Sequence, residues 1–440
     1  MLHHGRIANI DVEWKVKMLS LRVTPMAFDI TCLGASGEVG RSAFIVKTDK
    51  TILLDYGIKI FDKSGQPKFP EAFKENLDLM ILSHAHLDHS GNLPFLYTFS
   101  KTKWLGTPAT HDLIELLLAD SMKIMEGKLP YDLTHYNKAL KYWIPAVTNR
   151  TMSTGKTNVK MFDAGHIAGA VMIEMEHNGK KLLYTGDFKG EDTRMHRGAK
   201  YNEEVDVLMV DCTYAMREHP DRKKTEQQLA DEIKETIKDG GTVLLPAFAL
   251  GRSQELIRLV RAYNKKVPVY LDGMGKAITS VYMKYPDMIK DASGFRKDVE
   301  TIHRVNGPEE RMDATNEPGV IISSAGMLEG GPALRYLTNL NPDSKIIFTG
   351  YNVEGTNGWR LLNEGQLMIE GNMLTVDLPV EYFDFSAHGG KSDIMKLIKK
   401  TNPEKIICIH GDKTAEFATE LNGMGFDAVA PSILDRIRVD

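Results

Sequence analysis

The sequence has few cysteines, no long apolar run and little net charge, and each absence excludes a class of protein. Cys32, Cys212 and Cys408 are too few for a disulfide framework and too far apart for a CxxC metal clip. No apolar run approaches the roughly 20 residues that span a bilayer. The first residues, MLHHGRIANIDVEW, lack the apolar core of a signal peptide. We therefore expect a cytoplasmic protein without a membrane span.

Charge and length narrow the possibilities further. A formal net charge of -4 excludes a uniformly basic surface, so any contact with nucleic acid would use a local basic groove. The 440 residues exceed what one hydrophobic core usually organises, which predicts two domains.

The order of apolar segments predicts one α/β domain inserted into another. Short apolar segments broken by glycines, such as FDITCLG and TILLDYG, predict strands from Phe28 to a first histidine cluster. Residues 107–142 carry apolar residues at helical spacing, and further strands follow them. After Asp211 strands alternate with helices, as in parallel βαβ units, and the end of the chain again places polar clusters after strands.

The run Ser83-His84-Ala85-His86-Leu87-Asp88-His89 contains four candidate metal ligands directly after an apolar strand. His84 and His86 are two positions apart and can point to the same side of an extended backbone. Asp88 and His89 then turn toward a second ion. Imidazole and carboxylate together favour zinc.

Three further residues follow strand-like segments and supply what two metal sites still lack. They are His166 in DAGHIAGA, Asp187 in YTGDFK and His410 in CIHGD. Asp187 can bridge two ions through its two oxygens. Asp55, which closes ILLDYG, is expected to orient a ligand histidine or its loop.

In order and spacing these motifs resemble those of the metallo-β-lactamase superfamily, from about Phe28 to the end of the chain. The resemblance implies an αββα sandwich that holds two Zn²⁺ ions. It places one ion on His84, His86, His166 and Asp187, and the other on Asp88, His89, Asp187 and His410, with Asp88 also counted among the catalytic residues.

The 223 positions between Asp187 and His410 predict a large insert. Its segments PAFALGRSQELI, SSAGMLEGGPALRYL and GYNVEGTNGWRLL resemble the β-CASP domain of nucleases. Asp211, His388 and His410 resemble that group's three extra motifs, and a histidine at the third is typical of enzymes that cut RNA. We predict a metallo-β-lactamase domain at 1–211 and 379–440 and an inserted parallel α/β β-CASP domain at 212–378.

The opening GASGEVGRSAF and the run SHAHLDHSGNLPF resemble the nuclease subunit of cleavage and polyadenylation specificity factor and its archaeal relatives, with ribonuclease J as the nearest alternative. The extent of the chain on either side of the motifs suggests a short archaeal form. Both resemblances imply a homodimer that degrades single-stranded RNA from 5′ to 3′, and endonuclease action is the alternative.

The resemblance also implies a mechanism, with 5′-phosphate and 3′-hydroxyl products. His388 is the candidate general acid for the 3′ oxygen, and Asp211 is expected to hold its ring. RNA contacts are expected between the two domains. The candidates are Phe248, Arg252, Ser323, Ser324, Gly326, Arg335 and Ser386.

Three other hypotheses compete with an active ribonuclease. A small-molecule metallohydrolase does not explain the insert, and an inactive scaffold subunit does not explain why every ligand is present. A dinucleotide site at Gly34, Gly37 and Gly40 is disfavoured, because their spacing is GxxGxxG and a strand, not a helix, is predicted to follow.

Overall fold

The fold of the chain is given by a computed structural model that describes residues 26–60 and 66–440. The predicted lack of a signal peptide concerns residues outside these ranges. The strands of the described ranges are β1 (Phe28–Cys32), β2 (Phe44–Lys47), β3 (Thr51–Leu54), β4 (Leu79–Ile81), β5 (Trp104–Gly106), β6 (Trp143–Pro145), β7 (Thr151–Thr154), β8 (Thr157–Asp163), β9 (Val171–His177), β10 (Lys180–Tyr184), β11 (Val207–Asp211), β12 (Val243–Pro246), β13 (Val269–Asp272), β14 (His303–Arg304), β15 (Val320–Ser323), β16 (Lys345–Phe348), β17 (Gln366–Ile369), β18 (Asn372–Thr375), β19 (Val380–Tyr382), β20 (Lys405–Ile409), β21 (Ala428–Val429) and β22 (Arg436–Val439).

Helices cover the outer faces of the sheets. They are α1 (Leu87–Ser90), α2 (Leu96–Phe99), α3 (Pro108–Ile124), α4 (Leu133–Lys141), α5 (Arg222–Lys238), α6 (Arg252–Tyr263), α7 (Gly275–Lys284), α8 (Ala292–Val299), α9 (Pro308–Asn316), α10 (Gly331–Tyr336), α11 (Asn357–Glu364), α12 (Lys391–Thr401) and α13 (Thr414–Gly423), with 3₁₀ turns at Leu93–Phe95 and Pro286–Met288. In the ranges that the structure describes, no helix combines the length and the apolar character needed to cross a membrane.

Two seven-stranded sheets form a sandwich. Their strand orders are β22-β1-β2-β3-β4-β5-β6 and β21-β20-β11-β10-β9-β8-β7. In each sheet three neighbouring pairs are antiparallel and three are parallel. The two sheets of the sandwich therefore have the same pattern of strand directions.

Strand alternation decides which side chains fill the sandwich. In β3, Ile52 packs in the core between the sheets with Ile173 and Tyr184, while Leu53 faces the opposite way and packs with the helical residue Leu113. This period of two is expected for a strand that is buried on both faces. The result is the predicted αββα layering.

The inserted domain contains a third sheet, of order β14-β13-β15-β12-β16-β19, in which every pair is parallel. In the sequence, the strands of this third sheet come after β11 and before β20, and β11 and β20 are parallel neighbours in the sandwich. The chain thus leaves the sandwich after β11 and returns at β20, so the predicted α/β fold class with its parallel insert is confirmed. The domain boundaries stay a prediction, and β19 extends the parallel sheet slightly past 378.

The helix expected over 107–142 is two helices. Between α3 and α4 the chain turns at Gly127, which has a φ of 73°, and Pro130 follows. The Asp132 side chain then accepts hydrogen bonds from the backbone N–H groups of Thr134 and His135, which starts α4. The apolar periodicity spans the break, so it did not reveal the turn.

Candidate metal centre

The candidate ligands lie where strands of the sandwich end. Within each of the two sheets, the parallel strands end at the same edge of the sheet, so side chains that follow them come together there although they are far apart in sequence. Asp55 follows β3, His84 follows β4, His166 follows β8, Asp187 follows β10 and His410 follows β20. All five are buried.

The first cluster brings together three imidazole nitrogens and one carboxylate oxygen. His86 Nδ1 lies 3.2 Å from His84 Nε2 and 3.0 Å from His166 Nε2. Asp187 Oδ2 lies 3.5 Å from His84 Nε2 and 3.7 Å from His166 Nε2. One potential ligand atom from each of the four residues lies within 4.8 Å of the others.

The second cluster shares Asp187 with the first. Asp187 Oδ1 lies 3.1 Å from His89 Nε2 and 3.3 Å from His410 Nδ1. Asp88 Oδ2 lies 3.3 Å from His410 Nε2. The structure therefore brings together both predicted sets of four residues, with one carboxylate common to both.

The hydrogen bonds around the rings test whether these atoms can bind metal. His166 Nδ1 donates to the Ala387 carbonyl at 2.9 Å, and His89 Nδ1 donates to Asp55 Oδ2 at 2.7 Å. In the neutral rings the other nitrogen, Nε2, then carries a lone pair that points into the cluster. Asp187 Oδ1 is buried and accepts no hydrogen bond from the described residues. Lone pairs that face each other in this way fit bound cations.

Electrostatics also favour cations here. Burial and the His84 ring lower the pKa of His86 to about 3, so this ring is neutral at pH 7 and its lone pair is available. Burial opposes a charge on His410 as well, but Asp187, Asp211 and Asp88 outweigh it and raise the pKa of His410 to about 10. The buried carboxylates thus attract positive charge, which bound metal ions would supply.

Asp55 is placed as the sequence predicted, behind a candidate ligand. Besides the His89 ring, its carboxylate accepts hydrogen bonds from the Ser83 backbone and hydroxyl, each at 2.7 Å, and from the Tyr184 hydroxyl at 2.5 Å. An outer carboxylate of this kind fixes the tautomer and direction of a metal-binding histidine.

His388 lies at the edge of the two clusters and pairs with Asp211. His388 Nδ1 is 3.0 Å from Asp211 Oδ2 and 3.8 Å from Asp187 Oδ2. Burial opposes a charge on His388, but these two carboxylates outweigh it and raise the pKa of His388 above its usual value. The ring side chain is 21% exposed, so a substrate can reach it.

Sequence comparisons place this geometry in a family. A β-lactamase superfamily domain matches residues 50–238, a β-CASP domain matches 253–361, and a Zn-dependent metallo-hydrolase RNA specificity domain matches 373–431. The probable RNase MJ4 of Methanocaldococcus jannaschii is 36% identical over 93% of this chain and all of its own length. The chain belongs to the β-CASP ribonucleases.

Two further archaeal relatives are similar over most of this β-CASP ribonuclease. RNase aCSPSF2 of Saccharolobus solfataricus is 33% identical over 92% of the chain and 84% of its own length. The transcription termination factor FttA of Methanothermobacter thermautotrophicus is 32% identical over 93% of the chain and 71% of its own length. These matches confirm the family and the hydrolase class that the motifs predicted.

The residues proposed for RNA contact fall into two groups in this β-CASP ribonuclease. Ser386 and Arg252 adjoin the His388 segment: Ser386 Oγ accepts a hydrogen bond from the His388 backbone at 3.1 Å, and the Arg252 guanidinium donates to the Phe385 carbonyl. Phe248 is 38% exposed near Arg252.

The other group lies further along the inserted domain, which also contains Phe248 and Arg252. Ser323 ends β15 and is fully buried, and Gly326 packs so closely on the Phe248 backbone that a Cβ there would lie 2.9 Å from its nitrogen. Ser324 is partly buried beside Gly273, and Arg335 is exposed on α10. RNA binding by these residues stays a prediction.

Sequence reasoning missed several side chains that hold this site. Thr213 donates through its hydroxyl to Asp211 Oδ1 at 2.6 Å, and its hydroxyl oxygen is 3.0 Å from His410 Nδ1. His219 and Lys189 both contact the His388 carbonyl. Thr213 belongs to the same VDCTY segment as Asp211, and this proximity was the available signal. His219 and Lys189 carried no such signal.

Proposed function

We propose that this ribonuclease uses two zinc ions to hydrolyse phosphodiester bonds of single-stranded RNA, leaving 5′-phosphate and 3′-hydroxyl ends. One observation supports it most: two four-residue clusters share Asp187, and the His388–Asp211 pair lies beside them. We further propose that it degrades RNA from 5′ to 3′.

The proposed ligands divide as the two clusters do. His84, His86, His166 and Asp187 would hold one ion, and Asp88, His89, Asp187 and His410 the other. Such a metal pair neutralises phosphate charge and activates water near neutral pH. Asp55 would keep the His89 ring in the tautomer that leaves Nε2 free to bind.

His388 would protonate the departing 3′ oxygen. Its Nδ1 donates to Asp211, so the proton available for transfer is the one on Nε2. Burial opposes ionisation of Asp211, but His388 and His410 outweigh it and keep the pKa of Asp211 at about 2, so its carboxylate is ionised at neutral pH. A general acid of this kind contributes roughly 10²- to 10⁴-fold to the rate.

Metal analysis of variants separates ligands from the acid. After dialysis against trace zinc, wild-type protein should hold two zinc ions per chain, and the His388→Ala variant should also hold two while losing turnover. The Asp88→Ala and His89→Ala variants should hold fewer. Loss of zinc from His388→Ala would make that residue a ligand, and full zinc in the other two variants would remove them from the site.

Linear and circular substrates test the direction of degradation. We expect 5′-monophosphorylated RNA to be shortened from its 5′ end, while a circular RNA of the same sequence stays intact. A 5′-triphosphorylated RNA shows whether the 5′ end itself is recognised. Efficient cutting of the circle would overturn the exonuclease proposal and favour an endonuclease, and the His388→Ala variant controls for contaminating nucleases.

Homodimer formation and a cytoplasmic location complete the proposal. The three cysteines are free and buried, which is compatible with a reducing compartment. Light scattering on purified protein should give twice the 49.3 kDa chain mass. A monomer mass across the working concentration range would contradict the dimer.

A further inference from the structure

We propose that His219, held by Asp384, is a positioning residue that fixes the general acid His388 through its backbone carbonyl. This inference rests on the proposed function, because it concerns the proton that His388 would deliver. It assigns a role to a pair of side chains outside both metal clusters.

The His388 carbonyl is held by two side chains from different parts of the chain. His219 Nε2 lies 3.1 Å from the carbonyl oxygen, and Lys189 Nζ donates to the same oxygen at 3.2 Å. Lys189 is itself buried, with its ammonium 3.8 Å from Asp393 Oδ2. The Lys189 ammonium and the His219 ring thus both contact one backbone oxygen, and together they fix the peptide unit that follows His388.

The His219 ring is itself fixed in direction. Its Nδ1 lies 3.1 Å from Asp384 Oδ2, and the ring packs edge-on against Tyr214 with centroids 4.9 Å apart. Its two ring nitrogens thus face two oxygens, those of the Asp384 carboxylate and the His388 carbonyl. The ring links Asp384 to the segment that bears the acid.

Asp384 holds the same segment from its other end. Its Oδ1 accepts the Ser386 N–H at 3.0 Å, and Ser386 Oγ in turn accepts the His388 N–H at 3.1 Å. Its Oδ2 also accepts from Arg217 at 3.0 Å. Burial opposes ionisation of Asp384, but His219 and these partners outweigh it and keep its pKa at about 2. One carboxylate therefore fixes both the N–H and the C=O side of His388.

The absence of a side chain at Gly390 lets the His219 ring pack against the backbone that follows His388. A Cβ on Gly390 would lie 3.0 Å from His219 Cδ2, so the imidazole lies tightly against the backbone two residues after the acid. The Gly389 N–H donates to the Phe188 carbonyl at 2.6 Å and the Lys391 N–H to the Arg217 carbonyl at 2.9 Å. The acid segment is bound on both sides, and His219 contacts the carbonyl of His388 itself.

Proton transfer is sensitive to small displacements, because a misplacement of about 1 Å can cost a factor on the order of 10². Without the His219 ring, the His388 carbonyl keeps only Lys189 among the described residues, and the imidazole loses part of its fixed relation to Asp211. We expect His219→Ala to lower kcat by roughly 10- to 100-fold and to leave KM within about threefold. Zinc content should stay at the wild-type value.

A sulfur-substituted substrate distinguishes positioning of the acid from general damage to the site. The probe is a short 5′-phosphorylated RNA in which sulfur replaces the 3′ oxygen of the first linkage. A thiolate leaves without protonation, so an enzyme that has lost its acid should cut this linkage nearly as well as wild type does. The same RNA with ordinary oxygen is the comparison, and single-turnover rates are measured on both with wild type, His219→Ala, His219→Gln and His388→Ala.

The expected result is that His219→Ala and His388→Ala are slow on the oxygen substrate and within about threefold of wild type on the sulfur substrate. His219→Gln should be faster than His219→Ala on oxygen, since its amide can still donate to the His388 carbonyl. His303→Ala is the matched control: His303 is exposed and stacks on Tyr270 in the inserted domain, so its loss should change neither rate.

Each other outcome is decisive. If His388→Ala is restored by sulfur and His219→Ala is not, His219 has a purely structural role and the inference is overturned while the acid assignment stands. If His219→Ala matches wild type on both substrates, the inference is also overturned. If His388→Ala itself is not restored, the acid assignment in the proposed function fails, and the role of His219 fails with it.

Discussion

Replacing Asp211 by asparagine should disable the general acid without removing its side chain. In the wild type Asp211 Oδ2 accepts from His388 Nδ1 at 3.0 Å, while Oδ1 accepts from the Thr213 N–H at 2.9 Å and hydroxyl at 2.6 Å. The asparagine oxygen should stay with the two Thr213 donors. The amide NH₂ then faces His388 Nδ1 and forces that nitrogen to give up its hydrogen.

The size of the effect follows from this exchange. Loss of charge assistance alone costs roughly 1–2 kcal/mol, or about 5- to 30-fold. With Nδ1 deprotonated the ring is neutral, and its remaining Nε2–H is a far weaker acid than that of the imidazolium, so the total loss approaches the roughly 10²-fold or more of a lost general acid. Since removal of the carboxylate lowers the pKa of His388, the loss of kcat at high pH should also begin at lower pH than in the wild type.

The assay is kcat on a 5′-phosphorylated RNA from about pH 5.5 to 9, with zinc content measured on the same preparations. Asp427→Asn, a surface carboxylate paired with Lys405, is the matched control and should behave as wild type. A kcat for Asp211→Asn within about threefold of wild type, at full zinc content, would show that His388 does not need the Asp211 carboxylate to act as the acid. Loss of zinc would instead show that Asp211 supports metal binding, through its contact with the proposed ligand His410.

Three further predictions concern metal and stability. Asp187→Ala should lower zinc from two ions per chain to one or none by mass spectrometry, because both clusters share this carboxylate, and two retained ions would contradict the shared site. Asp55→Asn should weaken zinc binding by roughly 10- to 100-fold in a chelator competition, because the His89 ring loses its charged partner, and unchanged affinity would exclude that role. Arg436→Gln should lower Tm at pH 7, because Arg436 lowers the pKa of Asp29 below 3.8 and this stabilisation is fully present above pH 3.8. The difference from wild type should shrink as the pH falls below 3.8 and vanish once folded Asp29 is protonated, and a difference that does not shrink below pH 3.8 would contradict it.

The candidate metal centre could be predicted because its residues carry local signals. The HxHxDH run and the polar residues that follow apolar segments mark strand ends, where side chains of parallel strands meet. Position after a strand was enough to bring His166, Asp187 and His410 into one hypothesis with His84.

The supports of His388 could not be predicted in the same way. His219 lies 169 residues from His388, and their contact depends on how the chain leaves the sandwich and returns. Neither His219 nor Asp384 stands in a recognisable metal or acid–base spacing. RNA contact by Arg252 stays a prediction, but the hydrogen bond from its guanidinium to the Phe385 carbonyl could not be predicted from the sequence. This bond depends on packing that composition does not encode.

We propose that this chain binds two metal ions, one on each side of Asp187. Anomalous diffraction from crystals of the zinc-loaded protein, measured above and below the zinc absorption edge, tests it directly. Two peaks per chain are expected, one bounded by His84, His86 and His166 and the other by Asp88, His89 and His410, with an Asp187 oxygen facing each. A single peak, or two peaks that do not share Asp187, would contradict it.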